Sequence, residues 1–268
     1  MNSAILVAFL IACSGGTTDP KKNDDTGDAG DSGDAGDSGD TGDSGDSGEI
    51  TYPSGDRILL YNGHGGYQPD AYDKGSFESV DARWKKLFGW NTDIRDYFDE
   101  NNMPSYRMIG LIAPGYDSDT PFDTTEVAQL RAALEHGTRI VIFGERTMCA
   151  STVVSDLLMA LGVTVGFTGT ATDENRIIES DQVNTSYQAT EGVSAVRFKE
   201  PCWVDPGQGM GLIRDQNDDM VAAAERPENA GDVIVIGDFQ FMDDGGYLDY
   251  GDAAHFADNL VVVEPSSR

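Results

Sequence analysis

At 268 residues the chain is long enough for one large domain or two small ones. Its 47 acidic residues against 18 basic ones give a net charge of −29, which argues against nucleic acid as a partner, because phosphate binding needs Lys and Arg to displace counterions. Such a charge keeps a surface soluble and self-repelling without naming a partner.

The chain opens on "AILVAFLIA", Ala4 to Ala12, an apolar run about half the roughly 20 residues that span a bilayer. It ends in "LIAC", Leu10 to Cys13, which resembles the lipobox of bacterial lipoproteins. That resemblance implies cleavage before Cys13 and acylation of its thiol and new amino terminus. A membrane anchor of more than one acyl chain would follow. The mature chain is then expected in the cell envelope, outside the cytoplasmic membrane, at the outer membrane or the cell surface. "MNSA" carries no Lys or Arg, so the usual positive start is reduced to the amino terminus. The competing reading is an ordinary signal peptide with an incidental cysteine.

Gly27 to Gly48 read "GDAGDSGDAGDSGDTGDSGDSG". Glycine at every third position invites a collagen triple helix, but the other positions hold no proline, and each triplet carries a repelling aspartate. With almost no apolar side chain to bury, the run cannot offset its ordering entropy and reads as a flexible, self-extending linker. Calcium is the alternative use for spaced aspartates. It needs carboxylates converging in one tight turn and a bidentate acid to close the shell, so loose counterions are the expectation. The expected organisation is a signal peptide over 1–12, an acidic linker over 13–49 and one α/β domain over 50–268.

Within the domain, "RILLYNG" (Arg57 to Gly63) is a short apolar run closed by glycine, which predicts a buried strand. "VDARWKKLFGW" places Trp84, Leu87 and Phe88 at helical spacing, and "DIRDYF" repeats it with Ile94, Tyr97 and Phe98. "YRMIGLIAPG" predicts the second strand. "DTTEVAQLRAALEHG" predicts a helix with Asp123 or Thr124 as N-cap and Glu126 in its first turn. Val127, Leu130 and Leu134 share one face of that helix, and Gly137 stops it. Strand "RIVIFGE", helix "STVVSDLLMALG" and strand "VTVGF" follow. Ala171 to Arg226 is polar and rich in Thr, Asn and Gly, with hairpins expected at "GMGLIRD" and "DMVAAAE" as an elaboration of the sheet. "DVIVIGDFQF" and "AAHFADNLVVV" supply a last strand and helix. Nearly continuously apolar strands alternating with helices predict an α/β fold. Its mostly parallel sheet would be covered by helices on both faces, with a β-rich insertion in the C-terminal half.

"IGLIAPGYDSDTPFDTTEVAQLRAALEHGTRIVIFGE", "LLMALGV", "GDVIVIGDFQFMDD" and "HFADNL" together resemble the class I glutamine amidotransferase-like superfamily, a flavodoxin-like α/β fold. More narrowly, they resemble its non-amidotransferase branches. The resemblance covers most of the chain after the linker. It implies a domain of the kind found in periplasmic and cell-surface proteins and in auxiliary parts of transport and gliding systems, and it carries fold further than function. The amidotransferases set a cysteine in a Gly-x-Cys-x-Gly turn at a strand end and use a late His-x-Glu pair. Here Gly144, Glu145 and Arg146 follow the strand, so a charge stands at the matching position and Cys149 comes later. Two residues after His255 stands Ala257, and neither His64 nor His136 has an acidic residue at that spacing.

Three roles remain open for Cys149. As a nucleophile it would gain from the helix start behind it, but no base is identified. It could also rest as a buried free thiol. If Cys13 is acylated and the compartment oxidising, Cys149 has one possible partner, Cys202. Their bridge would close a loop of 53 residues, worth about 4 kcal/mol in the chain-entropy model. The Cys149–Cys202 disulfide is the expectation, and no catalytic residue is assigned.

A site is then expected beyond the carboxyl ends of the strands. The candidates are Asn62, His64, Gly65 and Gly66 after the first strand, Pro114 to Asp117 after the second, Glu145 and Arg146 after the third, and Asp238 after the late one. "NGHGG" suggests a phosphate cradle but fits neither phosphate-binding glycine pattern, so a tight turn is the plainer reading. Glu145, Arg146 and Asp238 read as an ion-pair network or a ligand site. "YDSDTPFD" and "DQNDD" read as solvated acidic loops before calcium sites, and three scattered histidines suggest no metal. No Gly-x-Ser-x-Gly elbow is present. Trp84, Trp90 and Trp203 could stack on sugars, although Trp84 has a helical core position. No cofactor is expected. The functional expectation is a non-catalytic binding or interaction module on a lipid anchor, with an envelope protein or glycan as partner. The alternative is a hydrolase or transferase using His64, Glu145 and Asp238.

Overall fold

A computed structural model of the protein describes residues 55–67, 77–99, 103–173 and 176–263. The chain divides into Met1–Asp46 and Ser47–Arg268, and every described residue belongs to the second unit. Cys13 of "LIAC", the expected lipidation site, and the glycine-aspartate run lie outside the described residues.

β1 (Arg57–Tyr61) is followed by α1 (Glu78–Phe88) and β2 (Asn91–Arg95). Next come β3 (Tyr106–Ile112), α2 (Thr124–Glu135), β4 (Arg139–Phe143) and α3 (Thr152–Leu161). The C-terminal half adds β5 (Gly166–Ala171), β6 (Ile177–Ser180), β7 (Gln182–Val183), β8 (Val196–Lys199) and β9 (Cys202–Asp205). It closes with β10 (Met210–Arg214), β11 (Met220–Glu225), β12 (Val233–Ile236) and α4 (Ala253–Val261).

Eight strands form the main sheet in the order β2-β1-β3-β4-β12-β11-β10-β7. Pairing is parallel from β2 to β12, and antiparallel from β12 through β11 and β10 to β7. The described residues therefore form a mixed α/β fold, with a large, mostly parallel sheet and four α-helices among them. Every residue of β4 and β12 is buried. A strand buried on both faces has no solvent side to hold polar residues, so its sequence loses alternation. α1 touches α4, α2 touches α3 and β4, and α4 touches β3 and β4.

Local signals place the helix ends. Asp123 accepts from Thr125 N and Glu126 N, while Glu126 returns a bond to Asp123 N, the reciprocal capping box. Ser151 caps α3 by accepting from Val153 N. Gly162, at φ +79, ends that helix in the left-handed conformation.

Two expectations are corrected. "DIRDYF" is not helical, because Asn91–Arg95 pairs residue for residue with β1 as the sheet's edge. Ile94 and Tyr97 remain exposed instead of forming a buried helical face. Pairing along the open side of β1 outweighs a weak local spacing. "VTVGF" does not join the main sheet. β5 begins only at Gly166 and pairs with β9 in a separate two-stranded sheet. The preceding Thr164 N and Val165 N donate instead to Glu225 Oε2, at 2.6 and 2.8 Å. The hairpin expected at "GMGLIRD" and "DMVAAAE" is β10–β11, which extends the main sheet.

Candidate functional site

Strand addition reverses between β1 and β3, the switch point beyond which open α/β sheets commonly take ligands. In this chain backbone fills the crevice. Gly115 N donates to His64 O (2.9 Å), Asp117 N to Gly65 O (2.7 Å) and Tyr67 N to Ile112 O (3.1 Å). Gly65 has φ +66, and a Cβ on it would lie 2.4 Å from Ser118 N; one on Gly66 would lie 2.7 Å from Ile112 O. The glycines of "NGHGG" thus let two loops lock together. Asn62 is buried at the base of the turn, its N–H donating to Arg95 O.

His64 adopts φ 56 and turns its ring inward. Nδ1 donates to Thr120 O at 3.0 Å, and Nε2 meets Glu126 Oε1 at 2.9 Å. The ring packs 3.9 Å from Phe122, beside Tyr61. Both nitrogens are therefore engaged by protein groups, leaving neither to take a proton from a substrate. Glu126 was legible as an acid in the first turn of α2; its pairing with His64, 62 positions away, had no local signature.

Glu145, Arg146 and Asp238 have separate assignments. Glu145 Oε2 accepts from Thr147 N (2.8 Å) and Thr147 Oγ1 (2.6 Å), capping a 3₁₀ turn over Arg146–Met148. Arg146 Nη1 lies 3.8 Å from Glu200 Oε2. Asp238 is fully buried, and its two oxygens accept from Lys199 N (2.6 Å) and Gln240 N (2.9 Å). Burial pushes its carboxyl up to about 8; those backbone bonds oppose the shift, and the charges of Asp243 and Glu145 add to it.

Cys149 is joined to Cys202 by a disulfide with a Cα–Cα distance of 5.3 Å. The bond ties the turn after β4 to β9, and both residues are buried. No thiol at this turn is available for nucleophilic attack.

A crevice of about 400 Å³ lies beyond β3 and β4, at the start of α3. Tyr116, Asp117, Ser118, Asp119, Thr147 and Ser151 contribute to its walls. Ser151 Oγ donates to Asp119 Oδ1 at 3.0 Å, and Gly115 beside it adopts φ +91, a conformation that favours glycine. Hydroxyls and carboxylates dominate this lining, with Tyr116 as its aromatic member. The sequence pointed to Pro114–Asp117 as strand-end residues, but Ser151 read only as the first residue of a predicted helix.

The other sequence candidates resolve simply. Trp84 is fully buried, while Trp90 stacks on Phe88 and lies under the Arg107 guanidinium. In "DQNDD", Asp215 Oδ1 accepts from Asn217 N and Asp219 N, while Arg176 and Arg214 face Asp215 and Asp218. Among the described residues no group of three or more His, Cys, Asp or Glu side chains is arranged to hold a metal ion.

Comparison with known folds agrees with this architecture. The mmIFT52 N-terminal domain is 14% identical and superposes with a TM-score of 0.60, over 75% of this chain and 94% of that domain. The cytoplasmic protein STM1381 from Salmonella typhimurium LT2 is 11% identical, with a TM-score of 0.52 over 76% of this chain and 98% of its own. The cytoplasmic protein STM3548 from Salmonella typhimurium is 12% identical, with a TM-score of 0.50 over 72% and 94%. At these identities the likeness is one of fold alone. No curated protein matches the chain in sequence. A family model does match residues 116–261, from the crevice loop through α4, and on that match the chain belongs to the family described as domain of unknown function DUF4350.

Proposed function

We propose that this protein is a lipid-anchored component of the cell envelope whose α/β domain binds a partner rather than catalysing a reaction. One observation carries the binding reading: the reactive side chains at the strand ends are already committed to the fold. His64 has both nitrogens bonded, Glu145 caps a turn, both Asp238 oxygens accept backbone N–H groups, and Cys149 is in a disulfide. The neighbouring crevice is lined by Tyr116, Asp117, Ser118, Asp119, Thr147 and Ser151; Thr147 and Ser151 already donate to Glu145 and Asp119, but their hydroxyl oxygens and the carboxylates keep lone pairs that can accept from a ligand. Such acceptors match the hydroxyls of a sugar, which supports an envelope glycan as partner ahead of an envelope protein.

The "LIAC" motif supports the anchor at Cys13, with a signal over 1–12, a linker over 13–49 and the domain over 50–268. The disulfide favours an oxidising compartment. The parallel run β2-β1-β3-β4-β12 has the flavodoxin-like order. That order, with α1–α4 and α2–α3 as separate pairs, supports the amidotransferase-like fold with helices on both faces.

The test has two arms. A clickable fatty acid should label the wild type and not Cys13→Ser; equal labelling ends the anchor. Soluble fragments of envelope glycans should bind the wild type and bind Ser151→Ala and Asp119→Asn more weakly. Turnover of ester, amide or glycoside substrates that disappears in His64→Ala, Glu145→Gln or Asp238→Asn would overturn the binding reading.

A further inference from the structure

β2 closes one edge of the main sheet, and among the described residues no strand pairs with its outer side. Two bonds fix which of its groups face inward: Asn91 N donates to Asp56 O (3.2 Å), and Arg95 O accepts from Asn62 N (2.9 Å). A strand residue sends its N–H and C=O to the same side, and that side alternates along the chain. Asn91, Asp93 and Arg95 therefore serve β1, while Thr92 and Ile94 turn their backbone groups outward. Such an edge is a template for another strand. It is also apolar for so acidic a chain. Of the six large apolar side chains exposed among the described residues, Leu87, Ile94 and Tyr97 belong to β2 and the segments flanking it.

The charges on this edge are complementary to their own reverse. When Asp93-Ile94-Arg95 is laid against an antiparallel copy centred on Ile94, each Asp93 stands opposite the second copy's Arg95. Ile94 then stands opposite itself. Directly opposite residues share a face, so both charge pairs can close. The same register makes Ile94 with Ile94 a hydrogen-bonded pair, as outward-facing backbone groups require. Centring on Asp93 would instead set two aspartates face to face and present inward-facing backbone. Within the chain Arg95 has no short carboxylate contact: Asp93 Oδ1 and Asp99 Oδ2 lie 3.9 and 3.7 Å from it. Arg57 and Tyr106 hold Asp93 through Oδ2, so the pair across the axis would use Oδ1.

We propose that the protein forms a two-fold symmetric dimer through β2, with two copies of the strand pairing antiparallel about Ile94 and joining their main sheets into one. An interface of this kind uses the same patch on both subunits and so demands self-complementarity, which Asp93 and Arg95 supply. The opposing force is the net charge of −29. That repulsion acts at long range and is screened beyond about 8 Å at ~0.15 M salt, whereas charges in contact are screened much less. The dimer is therefore weak at low salt and strengthens as salt rises, the reverse of an association driven by opposite net charges.

Analytical ultracentrifugation of the full chain over a wide concentration range, at ~0.15 M and ~1 M salt, tests this. The wild type should pass from monomer to dimer as concentration rises, and earlier in the higher salt. Ile94→Pro removes an outward N–H that β1 does not use, so the fold should persist, with an unchanged melting temperature, while the dimer is lost. If that variant does not fold, Ile94→Lys carries the comparison by setting two ammonium groups against each other on the axis. Arg95→Glu places a like charge opposite each Asp93 and should raise the dissociation constant on the order of 10-fold. Cross-linking fixes the register. In a Cys13→Ser background the two other native cysteines are joined to each other. Ile94→Cys should then oxidise to a covalent dimer, because a hydrogen-bonded antiparallel pair stands about 5.5 Å apart at Cα. Asp96→Cys, roughly 14 Å from its own copy, should not. Equal cross-linking at both positions, or association of Ile94→Pro and Arg95→Glu like the wild type, overturns the proposal. So does a monomer under all conditions, which would leave the edge to an extended segment of another protein.

Discussion

Arg139 and Asp232 form a buried ion pair: Nη2 lies 2.9 Å from Oδ2, with side chains 1% and 0% exposed. Arg139 Nη1 also donates to the carbonyls of Asn259, Leu260 and Val262 at the end of α4. Tyr187 Oη and Arg226 Nη2 complete the shell around Asp232, at 2.7 and 3.0 Å. One guanidinium therefore joins β4, the segment before β12 and the helix end whose carbonyls have no partner within the helix. Arg139→Met should cost about 3–5 kcal/mol, because it leaves a buried carboxylate without its main counter-charge. Urea unfolding measures this, and a loss below ~1 kcal/mol would mean that water replaces the guanidinium.

The same pair sets an acid limit. Burial pushes the Asp232 carboxyl up, but the charges of Arg139 and Arg226 outweigh it and hold the group at about 2, below its ordinary 3.8. A carboxyl depressed by folding stabilises the protein above its unfolded pKa and loses that contribution as pH falls through the folded one. The Asp232 contribution should thus be complete above about pH 4 and decline toward pH 2. Asp232→Asn should flatten the stability curve over that interval, and an unchanged curve would place the titration elsewhere.

Asp238 works in the opposite sense. Its carboxyl is raised from 3.8 to about 8, first by burial. The unfolded chain therefore releases this proton at lower pH than the folded one, and stability declines as pH rises from about 4 to about 8. Asp238→Asn removes that titration but loses one acceptor for the amides of Lys199 and Gln240. The variant should be clearly weaker than wild type near pH 4, and the difference should shrink toward pH 8. A constant difference across the interval would show that Asp238 ionises normally.

How much was legible in the sequence depended on the range of the interaction. β4, β12 and α2 were readable because continuous burial, a capping acid and a stop glycine all act within a few residues. β2 was not, since its strand state comes from pairing with β1, more than 30 positions earlier. The site divides the same way. The strand-end positions followed from topology, while the partners that occupy them came from distant loops: Thr120 for His64, Lys199 for Asp238, Glu200 for Arg146. Arg139 read only as the first residue of an apolar strand, and nothing local marked it as the cap of α4.

Glu126 separates two roles that meet in one side chain. Oε2 closes the capping box on Asp123 N, and Oε1 meets His64 Nε2. Glutamine preserves the capping bond but removes the charge facing the imidazole. Glu126→Gln should therefore cost less than Glu126→Ala, with the alanine variant losing about 1–2 kcal/mol. His64→Ala should cost about 1–3 kcal/mol through its two bonds and its packing on Phe122. In the double variant with Glu126→Gln the costs should not add, because the residues touch. Additive losses in thermal unfolding would separate His64 from Glu126 energetically.

The disulfide gives the last prediction. Cys149 and Cys202 stand 53 positions apart, one in the turn after β4 and the other opening β9. Each is buried, at 6% and 0% exposure. In oxidised protein neither sulfur should react with iodoacetamide until a reductant is added. Cys149→Ser and Cys202→Ser should destabilise by similar amounts, about 2–5 kcal/mol, because each removes the same cross-link. The double variant should cost little more than either single one. A nucleophile would behave otherwise: it would alkylate rapidly in the native protein near neutral pH, and its replacement would leave stability intact. Fast native alkylation of Cys149 alone would therefore break the bond assignment. It would also remove one of the observations on which the non-catalytic reading stands.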